Sequence, residues 1–129
     1  MAANRYTGAA AFRAELRRFL RRSEDCARRF GITPRQHLLL LQIGGAPDGT
    51  TTVSDLVERL ALTQSAVTEL VQRAEAAGLV QRAQSPADGR VVNLSLTELG
   101  AEKLAAVHAS LGPERAHLRR IVDALDSGY

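Results

Sequence analysis

Asp88 and Arg90 flank Gly89 in the run Ser85-Pro86-Ala87-Asp88-Gly89-Arg90. Asp-Gly is a tight-turn pair, so both side chains belong near the tip of a hairpin. A carboxylate placed there can hold a guanidinium in one orientation. An arginine so presented suits the narrow minor groove of an A·T-rich duplex. The plainer reading is a surface ion pair worth ~0–1 kcal/mol. A second group lies upstream. Gln64, Ser65, Thr68, Glu69, Gln72 and Arg73 share one face of a helical repeat, opposite Val67, Leu70, Val71 and Ala74. Hydroxyls, amides and an arginine suit base edges and phosphates. The helix start ahead of them leaves free N–H groups that favour an anion. An ordinary solvated helix face has the same look. Arg82 and Gln84 lead into the hairpin tip and extend its polar surface.

These groups need elements to hold them. Phe12, Leu16, Phe19, Leu20 and Ala27 predict a first helix from Ala9 to about Arg29, after an irregular segment over 1–8, with Gly31 as its stop. Thr33-Pro34 is a capping hydroxyl followed by a first-turn proline. The helix it starts runs through Leu38–Leu41 to Ile43 and is apolar nearly all round, which places it centrally. Gly44–Gly49 reads as a turn and Thr50–Thr52 as a short β-prone run. Thr52 and Asp55 have the spacing of an acidic capping box ahead of a helix through Val53, Leu56, Val57 and Leu60. Ala61-Leu62 is a tight connection, and Thr63 caps the helix that Gly78 ends. Leu79–Ala83 and Arg90–Leu96 read as paired strands. Thr97 caps a helix to about Leu111, Gly112-Pro113 breaks it, and Glu114–Leu125 forms the last, with Leu118, Ile121, Val122 and Leu125 on one face.

Two short helices joined by a tight turn and followed by a hairpin make a winged helix-turn-helix, whose second helix enters the major groove. The predicted fold is mainly α with a small β-hairpin wing. Residues 1–33 supply an N-terminal helix, 34–96 the reader, and 97–129 the C-terminal helices.

Composition narrows the partner. The 129 residues are one domain's worth, with 17 Lys+Arg against 14 Asp+Glu and a pI near 9.7. The basic surplus is confined to residues 1–33, with eight arginines against three acids, whereas residues 34–96 hold five arginines and six acids. Net charge is therefore weak support for nucleic acid, and placement of Arg73, Arg82 and Arg90 is the better argument. The N-terminal arginines read first as a solvated helix face. No aromatic occurs between residues 31 and 128, which excludes a stacking platform for single strands. One cysteine excludes an internal disulfide, and no zinc spacing is present. No strictly apolar run exceeds the four residues of Leu38–Leu41, far short of the ~20 residues of a membrane span. No secretory signal is visible, so a cytoplasmic protein is expected. No catalytic triad, paired carboxylates, phosphate loop or metal cluster stands out, so neither an enzyme nor a cofactor is implied.

The runs Val53-Ser54-Asp55-Leu56-Val57-Glu58-Arg59-Leu60, Thr63-Gln64-Ser65-Ala66-Val67-Thr68 and Ala77-Gly78-Leu79-Val80 resemble the reader core of the MarR (multiple antibiotic resistance regulator) family. Asp88-Gly89-Arg90-Val91-Val92 is similar to that family's wing signature, and Leu96-Thr97-Glu98-Leu99-Gly100 to the start of its next helix. The resemblance, over about Ile32 to Leu104, implies a homodimeric regulator, a repressor by expectation, that binds a pseudo-palindromic operator in double-stranded DNA. By position it implies that Ser65, Thr68, Glu69 and Arg73, with Gln64 beside them, face the major groove, and that Asp88 orients Arg90 into the minor groove. It also implies interlocked first and last helices, and control by a small anionic aromatic ligand or by oxidation of cysteine. Cys26 and His37 are the residues in range of that second role, though a packed cysteine or histidine is the commoner finding. A winged-helix module that reads protein and lacks specific DNA binding is the alternative.

Overall fold

Four threonines set where four helices begin. Thr33, Thr52, Thr63 and Thr97 each accept, at Oγ1, the backbone N–H of the residue three positions on, at 3.1, 3.3, 3.1 and 3.0 Å. Each bond satisfies a donor that the first turn would otherwise leave unpaired. The computed structural model describes residues 4–126. Its helices are α1 (Thr7–Arg29), α2 (Pro34–Gly44), α3 (Val53–Leu60), α4 (Gln64–Ala76), α5 (Glu98–Ser110) and α6 (Gly112–Asp126). Its strands are β1 (Thr50–Thr51), β2 (Val80–Gln84) and β3 (Val92–Leu96).

The strands form one antiparallel sheet in the order β1-β3-β2. Val80 lies opposite Leu96 and Gln84 opposite Val92, so the hairpin closes at the predicted tip. Thr51 lies opposite Leu94, which makes β3 the central strand and adds one strand to the expected hairpin. Leu39, Leu40 and Ile43 of α2, Leu56 of α3, Val67 of α4 and Val107 of α5 are fully buried in one core. Each such side chain contributes ~1.5–3 kcal/mol by leaving water.

The junction between the wing and α5 explains the Leu-Thr-x-x-Gly motif. Thr97 donates from its hydroxyl to the carbonyl of Gly78, and its N–H donates to Leu79 O at 3.1 Å. Gly100 packs so closely on the Leu79 carbonyl that a Cβ would collide with that backbone. Gly78 itself has φ 76°, the left-handed value that lets the chain leave α4. On the other side, α1 and α6 lie against each other, with His117 Nε2 3.2 Å from Glu15 Oε2. Lys103 Nζ donates to Phe30 O at 2.7 Å and ties the end of α1 to α5.

Several sequence expectations need correction. α2 is not buried all round: Leu38 and Leu41 are 44% and 40% exposed, because one helix offers the core only one stripe. Leu20 is likewise exposed. The chain does break between the last two helices, but at Leu111, so Gly112-Pro113 opens the last helix instead of preceding it. Leu111 alone separates α5 from α6, and proline is at home in a first turn. α1 already begins at Thr7, and the strands occupy Val80–Gln84 and Val92–Leu96. The capping box at α3 is half formed: Thr52 caps, but the Asp55 carboxylate accepts from Thr51 Oγ1 at 3.5 Å instead. The full box belongs to α2, where Gln36 Oε1 also accepts the Thr33 N–H at 2.9 Å. The ends of the first and last expected segments, residues 1–3 and 127–129, lie outside the described residues. Among the described residues no helix is long and apolar enough to cross a membrane.

Candidate nucleic-acid interface

α3 and α4 meet through Ala61, which takes a left-handed conformation at φ 54°. An alanine there carries a local cost of about 1–2 kcal/mol, tolerated because Leu56, Val67 and Leu70 fix the two helices on the core. The turn leaves the start of α4 open to solvent. Gln64, Ser65, Glu69, Gln72 and Arg73 are exposed and Thr68 half-exposed, while Val67, Leu70, Val71 and Ala74 are buried. One polar face therefore projects from a helix whose other face is anchored.

The cations on this side differ in their commitments. Arg90 is 94% exposed. Asp88 Oδ1 accepts its backbone N–H at 3.0 Å and lies 3.4 Å from its Nε, so the carboxylate shapes the turn and steers the side chain. Ser85 N–H to Val91 O, 2.8 Å, and Val91 N–H to Asp88 O, 3.0 Å, close the tip. Arg73 pairs along α4 with Glu69 at 2.7 Å. Arg82 is engaged more fully. Its Nε and a terminal nitrogen make a fork to Glu75 at 3.0 and 2.9 Å. Of the cations expected on the reading side, only Arg90 thus extends into solvent with a single long side-chain contact. The sequence pattern missed Glu75, since nothing in a linear repeat links the last turn of α4 to the middle of β2.

The second group of residues lies deeper. A cavity of about 750 Å³ opens between α1, the start of α2, and α4. Leu20, Arg28, His37, Leu38, Leu70 and Arg73 contribute to its walls. Burial lowers the His37 pKa below its ordinary value of 6.5, with the nearby His108 adding to the effect. Cys26 is not in that lining. It is 5% exposed, with Sγ 4.0 Å from Val107 O beneath α5.

The model of the MarR family matches residues 30–91, which span α2, the helix-turn-helix and the wing tip. Over 79 residues the chain is 37% identical to the HTH-type transcriptional repressor MdtR of Bacillus subtilis (strain 168), a match covering 61% of this chain and 50% of that protein. Over residues 30–91 the chain is similar to the MarR family. It spans about half the length of this curated relative. Among solved structures, YusO from Bacillus subtilis is 28% identical with a TM-score of 0.64, over 89% of this chain and 78% of that one. A mutant MarR from E. coli complexed with operator DNA is 22% identical with a TM-score of 0.73, over 96% and 94%. A mutant MepR from S. aureus bound to an oligodeoxyribonucleotide is 21% identical with a TM-score of 0.71, over 88% and 83%. The last two share the MarR fold beyond the reader, through the flanking helices.

Proposed function

We propose that this protein is a homodimeric, sequence-specific DNA-binding transcriptional regulator, acting in the cytoplasm as a repressor and not as an enzyme. The observation that carries the reading is the pairing of two projecting features on a reader similar to that of the MarR family. One is the polar face of α4 at Gln64, Ser65, Thr68, Glu69 and Arg73. The other is the solvent-extended Arg90 at the wing tip. α4 enters the major groove, and Arg90 reaches the flanking minor groove with Asp88 setting its direction. The names of the relatives point the same way: MdtR is called a transcriptional repressor, and a mutant MarR was crystallised with operator DNA.

Two further parts complete the proposal. The half-covered apolar residues of α1 and α6 dock on a second copy, which sets the spacing of two recognition helices. A small anionic aromatic ligand occupies the cavity beside His37, where Leu20, Leu38 and Leu70 offer apolar walls and Arg28 and Arg73 offer positive charge. Arg73 belongs both to that cavity and to α4, so ligand and DNA compete for its placement, and each weakens the other by linkage. The buried Cys26 offers no comparable access, so control is placed with the cavity and not with oxidation.

Selection of duplexes from a random-sequence library by the full-length protein tests the reading. The expected product is a pseudo-palindrome with half-site centres separated by about 10 base pairs, one helical turn. A library that shows no enrichment would instead favour a protein-reading winged helix.

A further inference from the structure

Strand β2 leaves the core almost as soon as it begins. Val80 is buried, but Gln81, Arg82, Ala83 and Gln84 are all exposed, so past Val80 the strand is held by its ladder to β3 and not by buried side chains of its own. β3 keeps Leu94 buried and Val92 half-buried. Between α4 and either wing strand, among the described residues, the one side-chain hydrogen bond or ion pair is the fork from Arg82 to Glu75, beside the apolar contact of Val80 and Leu94 with the core. Glu75 sits in the last turn of α4, next to the fully buried Ala74. Arg82 sits opposite Leu94 in the ladder, between the wing base and its tip. A guanidinium–carboxylate fork fixes a plane as well as a distance, which a lysine could not do.

We propose that Glu75 and Arg82 form a positioning pair that sets the wing against the recognition helix and thereby aims Arg90. The inference rests on the reading of Arg90 as a DNA contact. It removes Arg82 from the direct contacts: with its Nε–Nη2 edge turned to Glu75, Arg82 is held in an ion pair and acts through Arg90. The opposite role predicts the opposite sign. If Arg82 held phosphate directly, removing the competing carboxylate would free it and strengthen binding. If the pair aims the wing, removing the carboxylate weakens binding.

The experiment measures affinity of the full-length protein for the duplex it enriches, across a salt series, with thermal melts to confirm folding. Glu75→Gln is expected to weaken binding about fivefold, and Glu75→Gln with Arg90→Ala to bind no worse than Arg90→Ala alone, because both act on one contact. The exchanged pair, Glu75→Arg with Arg82→Glu, restores affinity to within about twofold by remaking the fork. Tighter binding by Glu75→Gln, with a salt slope steeper by ~0.9, would overturn the proposal in favour of a direct phosphate contact. Unchanged affinity in Glu75→Gln, or effects that simply add to those of Arg90→Ala, would also overturn it while leaving the wing reading intact. An Arg90→Ala protein that binds as tightly as wild type would overturn both.

Discussion

The reader and the helices that flank it bury their apolar residues to different depths. In the reader, Leu39, Leu40, Ile43, Leu56 and Val67 are wholly inside one core. In α1 and α6, Phe12, Leu16, Phe19, Leu118, Ile121 and Leu125 are only half-buried, while Leu20 and Val122 are exposed. The reader closes on itself. The α1–α6 pair is an open surface whose apolar stripe is covered on one side only, and large stripes of that kind mark interaction sites. Charge divides the same way, since the arginine surplus lies in residues 1–33 while the reader is nearly balanced. On the proposed reading, one region presents a surface to DNA and the other completes itself with a second copy.

The largest test of this contrast is Leu118→Asp. A charge at a half-buried position of α6 disfavours any apolar interface there. Light scattering is expected to show a monomer, and affinity for a two-half-site duplex falls by about 100-fold or more as avidity is lost. A dimer of native size would show that α6 is not part of the interface. Arg90→Ala sharpens the reader side. It should leave the dimer intact and weaken duplex binding by about 1–3 kcal/mol in a titration. The smallest effect concerns the seam between the regions, where His37 is buried against the cavity. Its pKa is lowered on folding, so the unfolded chain binds the proton more readily. This part of the stability is present above pH 6.5 and declines as pH falls below that value. Melting temperature across this range should fall toward acid, and His37→Gln should flatten the fall. An unchanged slope in the variant would assign the titration to another group.

Much of this organisation is legible in the sequence because local rules decide it. Thr33, Thr63 and Thr97 announce helix starts, Asp88-Gly89 announces the hairpin tip, and the 3.6-residue repeat separates the buried and polar faces of α4. What escapes is decided by tertiary neighbours. Four consecutive leucines carry no periodicity, so nothing local distinguishes the buried Leu39 and Leu40 from the exposed Leu38 and Leu41. Ala61 gives no sign of its left-handed backbone, because alanine is a helix former. Gly112-Pro113 is ambiguous between stop and start, and the contact of α6 with α1 resolves it. In the reading surface, the polar face of α4 and the Asp88–Arg90 pair are local patterns. The commitment of Arg82 to Glu75 is not, and it changes what Arg82 is for.

On the proposed reading, a reader of nearly balanced charge binds DNA through placed contacts. A titration of the enriched duplex at two salt concentrations tests it most directly, with a scrambled duplex as competitor. Affinity is expected to fall by about 1,000-fold or more between roughly 50 and 200 mM salt as phosphate counterions are released. The enriched duplex is expected to outcompete the scrambled one at both concentrations. Binding that is absent, insensitive to salt, or equal for the two duplexes would contradict it.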